Sequence, residues 1–79
     1  MNSDTLRDAF VTSLELDSSV DVTALKYREI PEWDSIGHMA LVAAIEEAFD
    51  VMLTTDEVIA LSSYQAAVDI LKTQGVTDL

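Results

Sequence analysis

The sequence predicts an all-α fold, a small four-helix bundle of three longer helices and one short one, with a long loop between helices 1 and 2. Apolar residues recur at helical spacing in separate segments, and capping patterns precede the later ones. Period-two alternation is confined to Val51-Met52-Leu53, too short for a strand. The first helix is expected over about residues 4–16: Ser3 or Asp4 can cap it, and Leu6, Phe10, Val11 and Leu14 share a face. From Asp17 to Trp33 the period breaks, with Asp17-Ser18-Ser19 at the start and Pro31 near the end, yet Val20, Val22, Leu25, Tyr27 and Ile30 remain. A connection this long carries function or packs on its own side chains.

The second helix is expected over about residues 35–49. Leu41, Ile45 and Phe49 at i, i+4, i+8 form its core stripe, with Val42 and Ala44 at the margin. A second stripe, Ile36, Met39 and Ala43, lies around the helix beside Glu46 and Glu47, and one small bundle cannot bury both. Thr54 and Glu57 make a capping box for a short third helix, about 55–61, carrying Val58, Ile59 and Leu61; Ser62 with Gln65 repeats the pattern. The fourth helix, about 63–73, buries Ala67, Val68, Ile70 and Leu71 and stops at Gly75, after which Val76 to Leu79 are expected to fray. There is no internal repeat or low-complexity tract, so residues 1–79 read as one domain.

A domain of 79 residues buries only about 60% of the surface its unfolded chain exposes, leaving little core to hollow into a deep active site. With 49% hydrophobic residues the chain folds despite fifteen acids against four bases. The net charge of −11 disfavours nucleic acid and anionic membranes and favours basic proteins and cations. From Glu29 to Leu71 there is no Lys or Arg, while nine acids fall in that span. Without cysteine the chain has neither disulfides nor a thiol of its own. Met1-Asn2-Ser3-Asp4 shows no secretory pattern and no stretch approaches the ~20 apolar residues of a membrane span. A monomeric, cytoplasmic protein without membrane insertion is expected.

Asp34-Ser35-Ile36, after Pro31-Glu32-Trp33, places one hydroxyl at a helix start, where unpaired N–H groups favour an attached anion such as a phosphodiester. Taken alone, the tripeptide is an ordinary cap. His38 stands three residues after Ser35, but a nucleophilic pair needs a third orienting group and an oxyanion hole, and the sequence shows neither. One His and no Cys make no metal set. Asp17, Ser19 and Asp21 alternate as in a calcium loop, but Val22 and Arg28 occupy the positions that require Gly and Glu.

Together the acidic first helix, the long loop, Asp34-Ser35-Ile36, the run Leu41 to Phe49, Thr54-Thr55-Asp56-Glu57 and the run Ser63 to Ile70 resemble an acyl carrier protein over essentially the whole length. The resemblance implies that Ser35 is esterified by 4′-phosphopantetheine, delivered from coenzyme A by a phosphopantetheinyl transferase, with Asp34 and Ile36 flanking the attachment. It implies that the second helix docks acyl-loading and acyl-transferring enzymes with basic surfaces through Met39, Ala43, Glu46 and Glu47. In such families the bundle interior can also shelter the acyl chain. Gly37, His38 and Ala40 replace residues common in carriers of fatty-acid synthesis, and Glu32-Trp33-Asp34-Ser35 lacks the Gly-Gly before Ser of peptidyl carriers, so the resemblance implies a specialised stand-alone carrier of a glyceryl-type, polyketide-like or other dedicated acyl pathway. The competing expectation is an acidic helical adaptor in which Ser35 is only a cap; catalysis by the chain itself is not expected.

Overall fold

The computed structural model describes residues 2–79; Met1, included in the expected 1–79 domain, lies outside the described residues. Its helices are α1 (Asn2–Ser13), α2 (Ser35–Phe49), α3 (Thr55–Ala60) and α4 (Tyr64–Thr73), with a 3₁₀ turn at Val22–Ala24 in the long loop. The all-α bundle is therefore present, and no described helix is long and apolar enough to cross a membrane. A single isolated antiparallel bridge, Lys26 to Ser63, ties the long loop to the α3–α4 junction, where Tyr27 N–H donates to Ser62 C=O at 2.8 Å.

The core is drawn from every part of the chain. Leu6, Phe10 and Leu14 meet Leu41, Val42 and Ile45 of α2 and Val68 and Leu71 of α4, and Val22, Leu25 and Trp33 come from the long loop. Trp33 is fully buried, the largest side chain in the core, with Phe10 edge-on at 5.5 Å. Such aromatic pairs contribute about 0.5–1.5 kcal/mol beyond area burial. Phe49 and Ile70, expected in the core, are half-buried at its margin. The third helix ends at Ala60, so Leu61, expected within it, is its C-cap and is buried, while Ile59 on the helix is 75% exposed.

Helix boundaries differ from expectation for identifiable reasons. The first helix ends at Ser13, not near Leu16: Glu15 adopts φ 53°, its N–H reaches Thr12 C=O at 3.3 Å and Leu16 N–H reaches Val11 C=O at 2.9 Å. That is a Schellman closure made without glycine. Ser13 Oγ adds a bond back to Ala9 C=O at 2.5 Å. At the other end the helix starts at Asn2, not Asp4. The C-terminal segment folds over it there: Ser3 N–H donates to Asp78 C=O at 3.1 Å and Asn2 Nδ2 to Thr77 C=O at 2.7 Å. The tail therefore does not fray. Gly75 at φ 90° turns the chain, with bonds from Gly75 N–H to Lys72 C=O and from Val76 N–H to Leu71 C=O, and Val76 and Leu79 pack on the core. Thr54 and Glu57 form the expected capping box, whereas the cap of α4 is Ser63, whose hydroxyl accepts from Ala66 N–H, and not Ser62.

Deleting residues 76–79 removes two apolar contacts and the partners of two groups on α1. Stability should fall by about 1–3 kcal/mol, lowering Tm by roughly 5–20 °C. Thermal melts of the truncated and full chains check this, and an unchanged Tm would show the tail to be dispensable.

Candidate functional site

The start of α2 is fixed from three sides. Asp34, extended at φ −101° and ψ −167°, caps the helix through its carboxylate, which accepts from Gly37 N–H at 2.8 Å, and its own C=O accepts from His38 N–H at 2.8 Å. Ser35 follows as the first helical residue and is exposed. Asp34 thus serves as a cap whatever else it does.

Behind Ser35 lies a polar link between buried and half-buried rings. Trp33 Nε1–H donates to His38 Nδ1 at 3.0 Å, and His38 Nε2 lies 2.9 Å from Val58 C=O on α3. An indole N–H only donates and a carbonyl only accepts, so the imidazole proton sits on Nε2 and Nδ1 is the acceptor. Both ring nitrogens are committed, which leaves His38 no lone pair for the Ser35 hydroxyl. The link joins the long loop, α2 and α3, and stranding either partner by removing the imidazole would cost about 1–3 kcal/mol. Tyr27 covers it, with its ring 4.9 Å from His38 and 6.2 Å from Trp33.

Tyr27 and Arg28 are neighbours of Ser35 that sequence reasoning passed over. The Tyr27 phenol is held below its ordinary pKa, chiefly by hydrogen bonding with the Arg28 guanidinium and then with the Ser35 side chain. Arg28 stands at φ 66°, an uncommon left-handed conformation for a long side chain. Its N–H bonds Trp33 C=O at 3.1 Å and its guanidinium carbon lies 5.5 Å from the Tyr27 ring centre. A chain reversal that places Tyr27 opposite Ser35 is a tertiary arrangement, and the only local signal was an aromatic residue between Lys26 and Arg28, two of the four bases of an acidic chain.

On the outer face of α2, Ile36 is 81% and Met39 58% exposed, and Ala43 and Glu47 are exposed with them. Glu46 differs. It is half-buried and its carboxylate accepts from Leu53 N–H at 2.9 Å, pinning the α2–α3 connection. A groove of about 290 Å³ adjoins Ser35, lined by Leu14, Ile36 and Ala40 and by the acidic residues Glu15, Glu32 and Asp34. A second groove of about 340 Å³ runs between α1 and α2 past Asp8, Thr12 and Glu47.

Gly37 is dictated by close packing rather than by a docking role. A Cβ there would collide with the backbone oxygen of Glu32 and lie 3.1 Å from Leu14 Cδ2. The Asp17 and Asp21 carboxylates, candidates for a calcium loop, instead close local turns on Ser19 N–H at 2.9 Å and Thr23 N–H at 3.1 Å.

The chain matches no protein-family model, and no curated protein or solved structure is significantly similar to it.

Replacing a helical glycine by alanine ordinarily stabilises by about 1 kcal/mol. Here Gly37→Ala should instead destabilise by about 1–3 kcal/mol, because the Glu32 backbone must move. Denaturant melts read the sign directly. The two tyrosines should also titrate apart: Tyr27 ionises first, and Tyr64, whose burial raises its pKa, ionises last. Ring-carbon NMR should show this order, and Arg28→Ala should move Tyr27 upward without moving Tyr64.

Proposed function

We propose that this protein is an acyl carrier whose Ser35 hydroxyl is the attachment point for 4′-phosphopantetheine. The observation that carries the reading is an exposed serine opening a firmly capped helix, beside an outward strip of apolar and acidic residues. The residues present fit such a group. The hydroxyl is accessible, the first-turn amides and the helix dipole favour a phosphodiester, and Arg28 stands near enough to offset part of the charge of Asp34. When attached, the group supplies the thiol that the chain lacks and holds an acyl group as a thioester.

The chain's own contribution is placement. Buried Trp33 holds the segment leading into α2, the Asp34 cap orders its first turn, and Ser35 is left facing solvent for a separate phosphopantetheinyl transferase. Ile36, Met39, Ala43 and Glu47 then meet basic, partly apolar surfaces of acyl-loading and acyl-transferring enzymes. Exposed ion pairs are worth about 0–1 kcal/mol each, so such docking is fast and reversible, and weakens with salt. The reading also assigns the protein to the cytoplasm as a monomer, and to a specialised acyl pathway rather than bulk fatty-acid synthesis.

A second reading, a prosthetic-group-free adaptor, draws on the exposure of Ile36, Met39 and Ile59, which could bind one permanent partner. The two separate on modification. Incubation with coenzyme A, magnesium and a broad-specificity transferase should add one phosphopantetheine mass to the wild type and none to Ser35→Ala. An unmodified wild type, beside a control carrier that is modified, would favour the adaptor. Glu47→Lys should slow acyl transfer at unchanged Tm, whereas Glu46→Lys should lower both, since it also strips Leu53 N–H of its acceptor.

A further inference from the structure

We infer that Trp33 and His38 close the bundle interior to the cargo, so that the acyl groups carried are short or polar ones that ride exposed to water. The inference rests on the proposed attachment at Ser35. An apolar chain tethered there lowers its free energy by leaving water, and the apolar volume it would seek is the core behind the start of α2. That volume is filled by the fully buried indole of Trp33, packed against Phe10 at 5.5 Å.

The seam between α2 and α3 is also latched. Entry there breaks the bond from His38 Nε2–H to Val58 C=O and frees the imidazole from Trp33, leaving up to four polar groups without partners. The Tyr27 ring lies over the same link. The other side of α3 is held as well, since Gln74 Nε2 donates to Met52 C=O at 2.9 Å and to Glu57 Oε1 at 3.1 Å. The open groove beside Ser35 mixes Leu14, Ile36 and Ala40 with the acidic residues Glu15, Glu32 and Asp34. A hydrocarbon laid there would lie against these three acidic residues and oppose their hydration, whereas a hydroxylated or amine-bearing acyl group would not.

The test loads Ser35 with acetyl- or decanoyl-phosphopantetheine from the corresponding acyl-coenzyme A, the acyl chains carrying ¹³C. For the wild type, hydroxylamine should cleave both thioesters at equal rates, and the decanoyl chain should show no NOE to Leu41, Ile45 or Leu61. In His38→Ala the decanoyl thioester should become protected; a chain sheltered nine-tenths of the time is cleaved about tenfold more slowly. His38→Gln, whose amide can accept from Trp33 and donate to Val58, should restore equal rates. Core NOEs together with slowed cleavage in the decanoyl wild type would overturn the inference while leaving the carrier reading intact. An absence of any Ser35 ester would instead remove the carrier reading itself. Should His38→Ala not fold, the two wild-type species decide alone.

Discussion

Burying an indole obliges its N–H to find an acceptor inside the protein, and here that acceptor is His38 Nδ1 at 3.0 Å. Trp33 is completely enclosed although it belongs to a loop, and through it the segment 17–33 becomes part of the core instead of a surface excursion. The consequence travels in both directions along the chain. Backwards, the Trp33 carbonyl holds Arg28 N–H, and the Tyr27 phenol comes to lie by Ser35. Forwards, Asp34 and Ser35 follow directly, so the position of the hydroxyl is set by how the indole sits. His38 then transmits the same constraint to α3 through Val58.

A chain with fifteen acids and four bases must also dispose of its charge, and much of it is spent on backbone. Asp17, Asp21, Asp34, Glu46 and Glu57 each accept from a main-chain N–H, satisfying groups that a small core cannot. Glu15 and Asp50 close helices in the left-handed conformation that glycine more often supplies. The acidic surface is thus divided between carboxylates that fold the protein and carboxylates, such as that of Glu47, that remain exposed. Glu46 belongs in the first group, which narrows the face of α2 that proposed partners would meet to Ile36, Met39, Ala43 and Glu47.

Much of this fold was readable from local pattern. The core stripe Leu41 and Ile45, the Asp34 cap and the Thr54–Glu57 box involve neighbours three or four residues apart, where period and capping chemistry speak clearly. Position and exposure of Ser35 followed from the same signals, as did the outward stripe of Ile36, Met39 and Ala43. What escaped depends on contacts distant in sequence. Nothing near Val76 to Leu79 announces that the tail returns to Asn2 and Ser3, and nothing near Glu15 announces a left-handed closure without glycine. Trp33, outside any helical period, gave no sign of being the largest core residue. His38 read as an ordinary helix residue because its partners, Trp33 and Val58, meet it only in three dimensions.

The central claim is that Ser35 carries a prosthetic arm in the working protein. Intact mass spectrometry of the chain purified from its native cells, with fragmentation to locate any added group, tests it most directly. The account predicts a phosphopantetheine ester on Ser35, with or without a small acyl group on its sulfur. A protein found unmodified at that residue, in cells where its pathway is active, would contradict it.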